Sequence, residues 1–259
     1  MRTEIDPAGP PILVTGGTGT LGQRLVPRLR AAGHPVRVLS RQSREAEPGV
    51  EFVTADLSSG DGVEAAVAGA AVILHCAGSA KGDDDKARHL VFISVVGADR
   101  VPVVSGIDRA MFGYFAAKHA AEQVVAGSGL PWTTLRATQF HDLMLATVRA
   151  VAKLPVVPVP AGFRFQPVDT DEVAARLVEL ALGAPAGLVP DLAGPRTYGM
   201  DELVRGYLDL SGSRRALVAV RTPGGAARAF REGANLATEG TVGRRTWEDF
   251  LAERLVTAA

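Results

Sequence analysis

Strand and helix patterns alternate through the first half of the chain, which predicts an α/β fold: a doubly wound parallel sheet with helices on both faces. Three observations carry the prediction. The apolar run Ile12-Leu13-Val14-Thr15 leads straight into a glycine-rich turn and then a helix. Further short apolar runs recur at 36–39, 50–57, 71–76, 89–94 and 132–135, with helical or turn segments between them. The connections are short, and the strict alternation fades beyond about residue 141. Residues 1–140 are therefore expected to form the sheet domain. Residues 141–259 are expected to form a smaller lobe packed on it as a single structural unit.

The glycine turn is the most informative element. Gly16, Gly19 and Gly22 give a G-x-x-G-x-x-G spacing. Gly16 lets the chain turn off the strand, Gly19 keeps side chains away from the backbone, and Gly22 lets the helix pack closely on the sheet. The helix N-terminus then offers free N–H groups and the positive end of its dipole, which suits a pyrophosphate. Thr15, Thr18 and Thr20 add hydroxyl donors. Pro27 falls inside the helical pattern Leu21, Leu25, Val26, Leu29 and predicts a kink before the stop at Gly33-His34-Pro35.

The second strand, Val36–Leu39, ends in Ser40-Arg41. In a dinucleotide-binding sheet this position faces the adenosine ribose. An acid there takes the ribose hydroxyls, whereas an arginine accommodates a 2′-phosphate through its planar fork of donors. The residues favour NADP, carried as NADPH, over NAD. A third strand spans Val50–Leu57, a short helix lies near 61–69, and strands four to six are Ala71–Cys76, His89–Ser94 and Trp132–Leu135. The carboxyl edge of such a sheet collects Gly16–Gly22, Ser40-Arg41, Asp56-Leu57, Ala77-Gly78-Ser79, Ser94-Val95 and Ala137–Phe140. The segment Gly78–Arg88, with Gly82-Asp83-Asp84-Asp85, is too short for a normal helical crossover. Either a loop makes this crossover, or residues are missing between about Lys86 and Arg88.

Beyond residue 141, helices are expected at His141–Lys153, Val173–Leu182, Met200–Leu210 and Thr246–Leu255. Asp169 and Glu172 resemble a capping box for the second of these. Val156-Val157-Pro158-Val159-Pro160 is extended but too proline-rich for a central strand. The chain has 259 residues, 28 basic and 28 acidic side chains and no net charge, so nothing points to nucleic acid or an anionic membrane. Cys76 is the single cysteine, which excludes an intramolecular disulfide, and its apolar strand suggests an inert thiol. There is no metal-ligand spacing. No apolar run reaches membrane length and no signal peptide is read, so a cytoplasmic protein is expected, with monomer favoured over homodimer.

Tyr114 and Lys118 stand i, i+4 in a helical segment near 112–127, one turn apart on one face. A neighbouring ammonium favours a phenolate, so Lys118 is expected to tune Tyr114 for acid/base work and to hold a ribose. Ser94, ending the fifth strand, can hydrogen-bond a carbonyl oxygen. The expected reaction is hydride transfer to a carbonyl or related acceptor with Tyr114 supplying the proton. The expected substrate is a partly apolar small molecule, because its pocket should draw on Val101–Met111, Phe140–Leu145 and Phe163–Phe165. Arg109 or Arg164 could meet an acidic group, although solvated surface is the more ordinary fate of each.

These segments together resemble the atypical short-chain dehydrogenase/reductase superfamily, specifically its NmrA-like NAD(P)-binding branch. The matching residues are Thr15–Gly22, Ser40-Arg41, Ala55-Asp56-Leu57, Phe92–Gly97, Tyr114-Phe115-Ala116-Ala117-Lys118, Leu135–Phe140 and Phe165–Asp169. The resemblance implies a Rossmann-like fold with the cofactor along the strand ends. Gly16, Thr18, Gly19, Thr20 and Leu21 would form its phosphate loop. Asp56 and Leu57 would flank the adenine, and Ala77, Gly78 and Ser79 would line the cofactor. Gln139 and Phe140 would approach the nicotinamide. The expected function is an NADP-dependent oxidoreductase acting on a small carbonyl or quinone-like acceptor. The family also contains non-catalytic NADP(H)-binding redox sensors, which is the alternative, and epimerases that retain their cofactor.

Overall fold

In a computed structural model of the chain, residues 9–77 and 87–256 are described. The first half runs β1 (Ile12–Thr15), α1 (Gly22–Ala31), β2 (Val36–Ser40), β3 (Val50–Thr54), α2 (Val63–Val67), β4 (Val72–His75), β5 (His89–Val95), α3 (Gly106–Gly127) and β6 (Trp132–Ala137). There follow α4 (His141–Ala152), β7 (Val156–Pro160), β8 (Arg164–Phe165), α5 (Thr170–Leu182), β9 (Gly187–Leu188), β10 (Leu192–Ala193) and β11 (Tyr198–Gly199). The chain ends with α6 (Met200–Leu210), β12 (Ala216–Val220), α7 (Gly225–Arg231), β13 (Thr241–Val242) and α8 (Trp247–Val256).

Among the described residues, nine strands form one sheet in the order β13-β10-β6-β5-β4-β1-β2-β3, with β9 beside β6. The α/β class read from the sequence is the observed one. The near-continuous apolar runs explain it, because strands buried on both faces have no polar side to alternate. β1 is buried throughout and pairs in parallel with β2 on one side and β4 on the other. The strand order reverses direction between β1 and β4, which is where such sheets open a crevice for ligands.

The described residues divide into two compact units that are discontinuous in sequence. Unit 1 draws on Met1–Ser94, Ala117–Leu135 and Asp171–Val189; unit 2 draws on Val95–Ala116, Arg136–Thr170 and Pro190–Ala259. In unit 1, Leu13, Leu39, Ala66, Ala70 and Ile73 form a core beneath α2. α1 passes through Pro27 and ends at Ala31, so the proline does not stop it. In unit 2, Met144, Val148, Val157, Leu203, Trp247 and Phe250 form one cluster, and a second is built on Phe112, Phe115, Phe163 and Phe230. β7 pairs with β12 in a separate two-stranded parallel sheet, away from any central position, as its prolines require.

Several boundaries move. β3 ends at Thr54, and Asp56 lies in the following turn, where its Oδ1 accepts the Ser58 N–H at 2.8 Å. α5 starts at Thr170 rather than 173, and the carboxylate of Asp169 takes Arg245 Nη1 at 2.8 Å. The crossover at 78–86, with the suggestion of missing residues before Arg88, lies outside the described residues.

One buried polar node in unit 1 makes stability depend on pH. Thr133 is fully buried, and its Oγ1 meets His89 Nε2 at 2.8 Å and accepts the Ala186 N–H at 2.9 Å. Burial lowers the His89 pKa below its ordinary 6.5. The unfolded chain therefore binds a proton that the folded one resists, so this contribution is complete above the unfolded value and is lost as pH falls through it. Chemical unfolding between about pH 5 and 8 should show stability falling on the acid side. The fall should be shallower in His89→Gln, whose amide can still reach Thr133; parallel curves for the two proteins would show that His89 plays no part.

Candidate functional site

β1 delivers the chain to Gly16, which has φ of +69°. A Cβ there would meet the Cys76 and Ala77 backbone at 3.1 Å, so both conformation and space call for glycine. Gly19 N–H donates to Gly16 O at 3.0 Å and closes the turn. Gln23 Nε2 donates to Thr18 O at 3.1 Å and steadies its far side. Thr18, Gly19 and Thr20 are exposed at the tip, while Leu21 is buried and can meet a ligand only through its main chain. At Gly22 a Cβ would lie 2.3 Å from Gly16 O and 2.4 Å from Gly17 Cα. α1 carries no acidic residue in its first turn. The Gln23, Arg24 and Leu25 N–H groups already donate to the Gly19 and Leu21 carbonyls, so what α1 offers an anion is the positive end of its dipole. This backbone-walled cradle fits a dinucleotide pyrophosphate.

One expected donor is turned inward. Thr15 is buried, with its Oγ1 2.9 Å from His75 Nδ1 and accepting the Ala77 N–H at 3.4 Å. It ties β1 to the end of β4 under the loop and does not reach outward. At the end of β2, the Ser40 hydroxyl closes its own turn, donating to Gln42 O at 2.7 Å and accepting the Gln42 N–H at 3.2 Å. Arg41 follows it, exposed. Leu57 packs partly on the unit 1 core beside the Asp56 turn. Ala77 stands at the end of β4; Gly78 and Ser79 lie outside the described residues.

Lys118 and Ser94 belong to unit 1. Lys118 is only 3% exposed; its Nζ donates to Ile93 O at 2.9 Å and lies 4.6 Å from the centre of the Phe92 ring. Burial pushes this ammonium down to about 8, against the opposing pull of Cys76 and Glu122. The lysine thus grips β5 one residue before Ser94, whose buried Oγ has no partner among the described residues. Tyr114 stands one turn earlier on α3 and is 56% exposed. The expectation that Lys118 lowers this phenol is not met. Burial of part of the side chain raises its pKa, and Lys118 is held on the Ile93 carbonyl. Burial also pushes the Cys76 thiol up to about 12, which fits the inert role expected of it.

Unit 2 holds a pocket of about 500 Å³. Its walls are aromatic and aliphatic, led by Phe112, Phe115, Phe163, Phe165 and Phe230. Among the described lining residues, the polar side chains are Gln139, Thr147 and Thr222, and none is charged. Arg109 and Arg164 are not among them. Phe140 precedes α4 and bridges to Val168 rather than lining the pocket. The sequence anticipated Met111, Leu143, Met144, Phe163 and Phe165. It missed Pro158–Pro160, Val220, Thr222 and Phe230, which the β7–β12 pairing and α7 supply. The proline alternation in 156–160 and the turn after Arg221 were the only signals of that wall.

Because the overlap at Gly22 is with backbone, Gly22→Ala should cost about 1–3 kcal/mol in urea unfolding, as for overpacked sites, and weaken dinucleotide binding with it. Wild-type stability together with wild-type affinity would mean that the loop does not need this close approach.

Comparison with known proteins adds an independent line. Residues 16–181 match a family model described as NAD(P)H-binding. An uncharacterized protein of Mycobacterium tuberculosis is 31% identical over 173 residues, covering 66% of this chain and 20% of that protein, so the chain spans about a fifth of its length. Ceramide reductase of Caulobacter vibrioides is 28% identical over 238 residues, covering 82% of this chain and 74% of that protein. Among solved structures, the NADPH-dependent quinone oxidoreductase QOR2 of Escherichia coli, complexed with NADPH, has a TM-score of 0.73 at 18% identity over 94% of this chain and 99% of that one. That likeness shows a shared fold. With more than half its length matched, and with the match opening on the glycine turn described above, the chain belongs to the NAD(P)H-binding family.

Proposed function

We propose that this protein is an NADPH-dependent oxidoreductase that reduces a small, uncharged carbonyl or quinone-like acceptor. The observation that carries the reading is the cradle at Gly16–Gly22, where backbone alone walls an anion site at the head of α1. The names of two relatives, a ceramide reductase and a quinone oxidoreductase, support the reaction class. The cofactor, when bound, supplies the hydride. Gly16, Thr18, Gly19, Thr20 and Leu21 would hold its phosphates through backbone and hydroxyl donors. Arg41 would pair with the 2′-phosphate, and Lys118 would donate to the ribose. Ser94, whose hydroxyl has no partner among the described residues, is the candidate for orienting the acceptor's oxygen, and Tyr114 is the candidate proton donor.

A second reading, a cofactor-binding redox sensor without turnover, draws on one observation. The phenol of Tyr114 is raised rather than lowered, which makes it a weaker acid than the reaction prefers.

Two measurements separate these readings and test the cofactor choice. In single-turnover mixing of the NADPH-loaded protein with quinones, aldehydes and ketones, wild type should oxidise NADPH and Tyr114→Phe should be slowed by about 10²–10⁴-fold, the usual contribution of a positioned acid. Oxidation by both at equal rates removes Tyr114 as proton donor, and firm binding without oxidation favours the sensor. For the 2′-phosphate, Arg41→Ala should raise the NADPH Kd by about ten- to a hundredfold, the equivalent of one charge-assisted hydrogen-bonded contact, and leave NADH unchanged. Equal losses for both cofactors would place Arg41 elsewhere.

A further inference from the structure

The unit 2 pocket is apolar on nearly every side, yet one polar group in it is left wanting. Both amide atoms of Gln139 are buried without a partner among the described residues. An unmet donor or acceptor of this kind costs about 1–3 kcal/mol each, and exchanging the amide's O and N does not help, since both are unmet. Thr147 already donates to Leu143 O at 2.9 Å. None of the described lining residues can balance an ionised ligand, and a carboxylate or diphosphate entering would lose its water with no cation among them to replace it.

The mouth of the same pocket is also informative. Met111, Leu143 and Val220 line it and are 55%, 57% and 46% exposed. Val218 and Val156 extend this apolar surface along β12 and β7. Exposed apolar area continuous with an apolar cavity marks a place where a ligand, rather than water, completes the surface.

We propose that Gln139 is the specificity-determining group of this pocket. Its N–H donates to the carbonyl oxygen of a neutral ligand, and its amide oxygen is available to a hydroxyl or N–H beside that carbonyl. The apolar body of the ligand fills the aromatic walls and emerges over Met111, Leu143 and Val220. The substrate class is therefore an uncharged, chain-bearing or polycyclic ketone or quinone, not a nucleotide-linked sugar or an acid. In calling this ligand the substrate, the inference rests on the reductase reading above; the binding itself does not.

The test is calorimetric titration of the full chain, without cofactor, using 2-undecanone and undecanoate. Wild type should bind the ketone and hold undecanoate at least ten times more weakly. Gln139→Leu should weaken the ketone about tenfold, the worth of one lost hydrogen bond of about 1.4 kcal/mol. Leu143→Trp, at an exposed position where folding is not at stake, should weaken it comparably by crowding the mouth. Equal affinity for ketone and carboxylate, absence of ketone binding, or an unchanged ketone affinity in both variants overturns the proposal. So does a Gln139→Leu protein that loses NADPH affinity while keeping the ketone, because the amide would then serve the nicotinamide. A protein that oxidises NADPH with quinones yet binds both probes alike keeps the reductase and loses this inference. One that binds the ketone through Gln139 and never oxidises NADPH does the reverse.

Discussion

The approach of the Gly16 carbonyl to the Gly22 α-carbon leaves room for a hydrogen and nothing larger, since a methyl there would sit 2.3 Å from that oxygen. Much of unit 1 follows from this closeness. It lets α1 spring directly from the end of β1 with its leading N–H groups at the loop. It also sets the face that α1 buries, with Leu25 and Leu29 fully inside. The opposite side is fixed by two arginines on one carboxylate: Arg24 Nη1 at 2.8 Å and Arg28 Nη2 at 2.6 Å from the oxygens of Asp171 at the start of α5. All three side chains are about one-third exposed, so these bridges add at most about 1 kcal/mol each. Their value is in holding the helix axis, and with it the direction of the N–H groups, against α5.

Below the loop, a stack of unlike groups closes the carboxyl ends of three strands. Thr15 meets His75, the His75 ring stacks on Phe92 with centroids 5.6 Å apart, and the Lys118 ammonium lies 4.6 Å from the centre of the same ring. Each contact answers a burial cost. The hydroxyl and imidazole satisfy one another, and the ring and the Ile93 carbonyl return part of the hydration that the ammonium gives up. What they do not return is visible in the lysine's pKa of about 8. A side chain held this way is oriented in advance, which would suit the ribose contact proposed for it.

The legible part of this molecule is the part that depends on backbone. Glycine spacing, apolar runs and short connections report what the main chain must do, and the cradle and sheet could be read from them. Side-chain direction inside doubly buried strands could not. With no polar face to mark the alternation, Thr15 read as an outward donor when it points to β4. The pocket was half legible for a different reason. Its α3 and α4 wall lies in helical patterns, but its other wall is made when segments about sixty residues apart pair as β7 and β12, and nothing local in Ala216–Val220 announces that partner. The Tyr114–Lys118 expectation failed on energetics. Spacing on a helix says which groups are neighbours, and it says nothing of how much water each has lost.

The protonation order on α3 constrains any chemistry there. Lys118, at about 8, titrates nearer to neutrality than the phenol, whose pKa is raised above its ordinary value. Near pH 7 the lysine is therefore mostly charged and the tyrosine protonated. A proton leaving Tyr114 would create an anion in a partly desolvated place, which is unfavourable unless a cation stands by. Lys118 stands one turn along the same helix, but its ammonium is held on the Ile93 carbonyl and does not lower the phenol. A role for Tyr114 as proton donor is therefore compatible with its raised resting pKa only where the acceptor takes the proton as the anion forms, so that no free phenolate arises.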